Sequence, residues 1–220
     1  MSAHIQRQLD QLKKMILALG AQVEQMVLDA IAAIEHRDVE LAEKVIENDA
    51  KIDAIEVDIE EECLHVLALN QPVAFDLRYI IATLKINNDL ERMADLATNI
   101  ARQALVLSEH AAVDHVPFDL HQMAELVRSM VKQSLDALVG IDPQLADQVC
   151  ERDRQVDEIH RQMYRNIEQA IADDPDHIPA YLHLTTVSRN LERIGDHAQN
   201  VAEDVIYLAR GEITRHRRRP

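Results

Sequence analysis

Residues Leu90–Ala101 read LERMADLATNIA, and residues Leu191–Ala202 read LERIGDHAQNVA. The two stretches run in register at a constant offset of 191 − 90 = 101, with Leu, Glu, Arg, Asp, Asn and the terminal Ala coinciding. Upstream, Glu47-x-Asp49-x-x-Ile52-Asp53 matches Glu151-x-Asp153-x-x-Val156-Asp157 at an offset of 153 − 49 = 104. One such block could arise by chance. Two blocks in the same order, separated by nearly the same length of chain, indicate an internal duplication.

Around these blocks the apolar residues recur at helical spacing. Leu9, Leu12, Ile16, Leu19, Val23, Met26, Val27, Ala30 and Ile34 predict one long helix from about Ile5 to Glu35. Asp38 is placed to cap a second helix ending near Asn70, and Pro72 opens a third that runs to about Leu107. Periodicity lapses over SEHAAVDHVP, which sets the repeat boundary. The second half follows the same course, with helices predicted from Pro117 to Val139, Asp142 to Ala172 and Pro179 to Leu208; Gly140 stops one of them and Asp142-Pro143 starts the next. The expected fold is all-α, two tandem three-helix bundles over residues 1–110 and 111–220, the second with a short basic C-terminal tail.

Composition agrees. Of the 220 residues 47% are hydrophobic, with four Tyr, two Phe and no Trp, a palette suited to helix packing, and the four Gly and six Pro stand mostly between the periodic segments. The formal charge of −16 excludes the basic footprint of a nucleic-acid binder and favours cations or basic partner surfaces. The run Arg215–Arg219 is the basic exception and reads as a frayed, solvated tail. Cys63 and Cys150 form no Cys-x-x-Cys pair, which suits a reducing cytoplasm. The polar N-terminus does not read as a signal peptide, and the apolar stretch Met15–Ala21 is too short to cross a bilayer.

The chemistry lies in the carboxylates. Residues four apart share a helix face, so Glu91, Asp95 and Asn99 form an oxygen-bearing stripe that Glu192, Asp196 and Asn200 repeat. Asp49 and Asp53, with Asp153 and Asp157 as counterparts, make the same pairing on the preceding helix. The link near Asn70–Pro72 is short, so the second and third helices are expected to be antiparallel, with the two stripes facing each other. Facing carboxylates repel, and hard cations such as Mg²⁺, Ca²⁺, Mn²⁺ or iron are the natural neutralising agent; a solvated acidic face with Arg92 and Arg193 as partial counterions is the alternative.

Glu62-x-x-His65 has the spacing used in ferritin-like di-iron proteins, and Asp157-x-x-His160 approximates it. The repeat places Asn166 and Gln169 opposite Glu62 and His65, so these read as surface residues, and His197 reads as a helix-surface histidine. A di-iron oxidase or iron-storage protein using Glu62 and His65 stays open as the alternative function. There is no Gly-x-Ser-x-Gly motif and no glycine-rich phosphate loop, so catalysis is not the expected role.

The repeated LER-x-x-D-x-x-x-N, together with QPVAFDLR at Gln71–Arg78, resembles the PhoU family of bacterial phosphate-uptake accessory proteins, over nearly the whole chain. That resemblance implies a cytoplasmic homodimer that restrains phosphate import and the phosphate-starvation response, peripheral to the membrane through its partners. Those partners would be the phosphate ABC transporter's ATPase and a phosphate-sensing histidine kinase. It further implies multinuclear iron or zinc clusters at Asp49, Asp53, Glu91, Asp95, Asp153, Asp157, Glu192 and Asp196, the stripes being extended by Asn99 and Asn200; Mg²⁺ or Mn²⁺ stay possible from the oxygen ligands alone. The first repeat departs from the family pattern, carrying Met93-Ala94 where the second has Ile194-Gly195. The added methyl is expected to alter the shape or affinity of the first site.

Overall fold

The computed structural model describes residues 3–111, 113 and 116–211; the basic run Arg215–Arg219 lies outside the described residues. Among those residues the chain forms six α-helices and no strands: α1 (Ala3–His36), α2 (Val39–Asn70), α3 (Ala74–Glu109), α4 (Leu120–Gly140), α5 (Pro143–Asp173) and α6 (Ile178–Arg210), with one 3₁₀ turn at Pro175–His177.

The duplication visible in the sequence is also a duplication of burial. On α2 the buried side includes Ala42, Val45, Ile52 and Ile59, and on α5 Ala146, Val149, Val156 and Met163, each pair 104 apart. On α3 and α6 the correspondence runs at 101, through Ile86/Val187, Leu90/Leu191, Met93/Ile194, Ala97/Ala198 and Ile100/Val201. Outer helices α2 and α5 therefore bury one narrow stripe each, whereas α3 and α6 are covered on most sides.

α3 and α6 pack against each other at the centre, and one hydrophobic core runs through both repeats. Their antiparallel register is fixed by polar contacts: Lys85 Nζ to Asp204 Oδ1 at 3.3 Å, Asn200 Nδ2 donating to Asp89 Oδ1 at 3.1 Å, and His183 Nδ1 at 2.7 Å from Gln103 Oε1. A second crossing joins α1 to α4. At Gly20 an added Cβ would stand 2.6 Å from Leu135 Cδ2, so the missing side chain lets Leu135 pack directly on the α1 backbone.

By length and composition α1 passes for a membrane-spanning helix, since apolar character continues well beyond Met15–Ala21. Leu12, Ile16, Leu19 and Val23 are nevertheless fully buried, packed with α2, α3 and α4 in the protein core.

Helix boundaries follow local chemistry. Asp38 caps α2 as predicted, accepting from Leu41 N at 3.0 Å. α4 begins three residues later than Pro117, because Asp119 supplies the cap by accepting from Gln122 N at 2.8 Å. α3 starts at Ala74 rather than Pro72, after a turn with left-handed backbone at Gln71 and Ala74. Gly140 is the last residue of α4, and the left-handed cap falls on Ile141 at φ 48°, with Asp142 N donating to Ala137 O at 2.9 Å. A β-branched residue is costly there, about 1–2 kcal/mol. Ile141 is partly buried against the core, which offsets part of that cost.

Asp142 holds the following helix by accepting from both Gln144 N (2.8 Å) and Leu145 N (3.2 Å). Asp142→Ala should lower stability by about 1 kcal/mol in urea unfolding, with an unchanged denaturant slope.

Candidate metal centres

Burial of the apolar stripes decides what the carboxylates face. Fully burying a large aliphatic side chain such as Ile52 or Ile59 stabilises by roughly 1.5–3 kcal/mol, whereas an i, i+4 pair of like charges costs only a few tenths. The packing stripe wins, and the acidic residues beside it are carried into opposition across α2/α3 and α5/α6.

In the second repeat this opposition is strong. Asp153 is pushed up to about 7, chiefly by burial and then by the negative charges of Asp157, Asp196 and Glu192. Asp196 keeps an exposed edge, yet loss of hydration on its protein side, followed by Glu192 and Asp157, raises it to about 6. Glu192 is raised by burial and by Asp157. Asp153 Oδ1 is buried and has no hydrogen-bond partner. It lies beneath Gly195, where a Cβ would sit 3.5 Å from it. An alanine would fit at ordinary contact distance, but its methyl would cover a buried carboxylate oxygen that lacks a hydrogen-bond partner.

The first repeat has the same frame with more neutralisation. Glu91 is raised by burial, then by Asp95, Asp53 and Glu56, and Asp49 by burial, Asp53 and Asp95. Thr98 Oγ1 donates to Asp49 Oδ1 at 3.1 Å, while Arg92 places Nε 3.2 Å from Glu91 Oε2 and Nη1 3.0 Å from Asp95 Oδ2. Arg193, the counterpart of Arg92, stays exposed and acts on Glu192 and Asp196 only from a distance.

Eight predicted carboxylates are thus brought together as two groups of four: Asp49, Asp53, Glu91, Asp95 and Asp153, Asp157, Glu192, Asp196. The two asparagines are placed differently. Asn99 accepts from Arg102 at 3.1 Å, and Asn200 is turned to Asp89 in the α3/α6 seam. Glu62 is half-buried and His65 exposed on α2, as the surface reading expected.

Two other histidines are not surface residues. His197 Nδ1 lies 2.8 Å from Asp89 Oδ1 in the seam, and His160 Nδ1 lies 2.8 Å from Ser188 Oγ between α5 and α6. Burial holds the His160 imidazole below its usual range. Sequence reasoning also missed Thr98 and Glu56. Glu56 could have been found, because it stands one turn beyond Asp53 on the same helix.

A multivalent cation fits the donor set. The ligands are carboxylate oxygens, which suit hard ions, and Asp153 leaves a buried oxygen orphaned. As placed, no three Asp, Glu, His or Cys side chains among the described residues converge closely enough to coordinate one ion, so binding requires the carboxylates to turn inward.

Comparison with known proteins places the chain. The family model of the PhoU domain matches twice, at residues 16–104 and 120–205. A phosphate-specific transport system accessory protein PhoU homolog of Pseudomonas putida is 39% identical, covering 98% of this chain and 84% of its own. Its counterpart in Aquifex aeolicus is 41% identical, over 96% of this chain and 95% of its own. The crystal structure of PhoU from Pseudomonas aeruginosa superposes with a TM-score of 0.92 at 39% identity, covering 94% of this chain and 99% of that one. That of the phosphate transport system regulatory protein PhoU from Streptococcus pneumoniae gives 0.83 at 30% identity, over 95% and 98%.

An acid whose folded pKa exceeds its unfolded value takes up a proton on folding, so its burden on stability is absent at low pH and grows as pH rises toward the folded pKa. For Asp153 that window lies between about 4 and 7. In chelator-treated protein, Asp153→Asn should therefore melt higher than the parent at pH 8, with the difference shrinking as pH falls to 5. Equal melting at pH 8 would show that the carboxylate bears no such strain.

Proposed function

The chain belongs to the PhoU family, and from that premise we propose that it is a negative regulator of phosphate uptake and of the phosphate-starvation response, acting as a cation-binding adaptor and not as an enzyme. The observation that carries this reading is the coincidence of the twofold family match with the twofold carboxylate frame on the same helix pairs. The relatives at 39% and 41% identity bear names that associate them with a phosphate-specific transport system.

In this reading the protein works in the cytoplasm as a homodimer and reaches the membrane only through its partners, the ATPase of a phosphate ABC transporter and a phosphate-sensing histidine kinase. It binds no nucleic acid, in keeping with a formal charge of −16. Asp49, Asp53, Glu91 and Asp95 would hold ions between α2 and α3, and Asp153, Asp157, Glu192 and Asp196 between α5 and α6. Iron or zinc, with Mg²⁺ or Mn²⁺ as alternatives, supplies when bound the positive charge that these facing carboxylates lack. The carboxylates then hold each outer helix against its central one, so that α2 and α5 present a fixed face to the partner. Without neutralisation, repulsion across each pair loosens that face.

Deleting the gene should raise phosphate uptake and secreted alkaline phosphatase in phosphate-rich medium. Complementation with the parent chain should restore both to low values, and Asp95→Ala combined with Asp196→Ala should fail to do so while lowering bound metal. Normal uptake and phosphatase in the deletion strain would contradict the regulatory role; full complementation by the double variant would remove the stripes from the mechanism.

A further inference from the structure

The outer helices of the two repeats bury matching stripes but expose different ones. Among the described residues α2 packs on α1 and α3 alone. On the side of the helix opposite its buried stripe stand Ala50, Ala54, Val57, Glu61, Leu64 and Ala68, all exposed. Their spacing alternates between four and three residues, which is the seam spacing of a coiled coil. Val57 is 49% exposed and Leu64 54%.

Single exposed aliphatic side chains are ordinary on a protein surface. Here the duplication supplies an internal control. At the offset of 104 the same six places on α5 hold Arg154, Glu158, Arg161, Arg165, Glu168 and Ala172. Glu158 accepts from Arg165 at 2.9 Å and lies 3.3 Å from Arg161 Nη2, so that face neutralises itself in solvent. One inherited surface thus stands in two forms, and only the first keeps large aliphatic side chains in water.

Charge decides what covers it. From Glu47 to Asn70 the chain holds eight carboxylates against one lysine, Lys51, whose Nζ donates to Asn48 Oδ1 at 2.7 Å. Exposed Asp53, Asp58 and Glu60 flank the seam, and Glu61 stands within it. The same face of a second copy would set carboxylate against carboxylate. The outer face of α5 in a second copy has no side chain larger than alanine among its apolar groups with which to cover Val57 and Leu64.

We propose that the outer face of α2, residues 50–68, docks an amphipathic helix of a partner protein, one with leucine or isoleucine along its seam and lysine or arginine on both edges. A further basic residue of that helix meets Glu61, since a polar group within a seam fixes register. The partner lays its apolar side on Val57 and Leu64, and its basic edges meet Asp53, Asp58 and Glu60. This deepens the adaptor reading above, on which it rests for the existence of a partner, by assigning docking to the first repeat and not to α5.

The test titrates the ¹⁵N-labelled full chain with two synthetic peptides of about 21 residues, three heptads each. One carries leucine on the seam, lysine on both edges and one lysine within the seam; the other has glutamate for every lysine. The first should shift the amides of residues 50–68 and leave those of 154–172 in place, and the second should bind nowhere. Val57→Arg combined with Leu64→Glu, which installs the residues of the second repeat, should weaken the first peptide by roughly tenfold or more, and Arg161→Ala should leave it unchanged. Shifts spread equally over α2 and α5, or an affinity indifferent to the double variant, would overturn the proposal. A parent dimer that the double variant dissociates in sedimentation would give the face to a second copy and overturn it equally. The peptide map needs no substitution, so a poorly folded variant cannot obscure it. In the deletion strain the double variant, accumulating like the parent, should fail to restore low phosphate uptake and phosphatase. Full complementation would overturn docking on α2 and leave the regulatory role standing. Normal uptake and phosphatase in the deletion strain would overturn the regulatory role instead, and the peptide map would then decide the face by itself.

Discussion

Everything distinctive about this protein follows from a conflict between apolar burial and charge repulsion in the packing of α2 on α3 and of α5 on α6. The apolar stripes can be buried in one orientation only, and that orientation sets four carboxylates of each repeat against one another. Aliphatic burial is the stronger of the two, so the helices close and the electrostatic cost is carried in the folded state, as the elevated pKa values of Asp153 and Asp196 register. The fold thereby holds a standing demand for positive charge at two places.

The repeats answer that demand differently. The first uses its own residues: Arg92 lies against Glu91 and Asp95, and Thr98 donates to Asp49. In the second, Gln199 stands where the first has Thr98, Arg193 remains exposed, and Gly195 keeps a methyl away from Asp153 Oδ1. Between the repeats the α3/α6 seam is itself polar, with His197 and Asn200 converging on Asp89 and Lys85 on Asp204. The bonds run from α3 directly to α6, so the two repeats are tied to each other through side chains of their central helices.

Much of this was legible in the sequence because it depends on periodicity. The helical spacing, the 101 and 104 offsets and the i, i+4 carboxylates are local properties, and the short turn at Gln71–Val73 made the facing of Asp53 with Glu91 a matter of counting. What was not legible depends on the partner helix. Nothing near His197 in the chain distinguishes a surface histidine from one in contact with Asp89, 108 residues away. The same holds for Thr98 with Asp49, for Asn200 turning away from its stripe, and for His160, which meets Ser188 on another helix. Gly140 does end α4 as the sequence expected, but the left-handed cap falls one residue further on, at Ile141, whose side chain packs on the core.

The central claim is that the facing carboxylates of the folded protein bind cations. The most direct measurement is the melting temperature of the chelator-stripped chain as Zn²⁺ or Mn²⁺ is added. An ion that binds only the folded state raises it progressively with concentration, by about 2.7 kcal/mol of stabilisation at a hundredfold excess over the dissociation constant. That rise is the expected result, together with its loss when the acidic residues of both frames are neutralised. Melting that is the same in chelator and in excess cation would contradict it and leave the two stripes as a solvated acidic face.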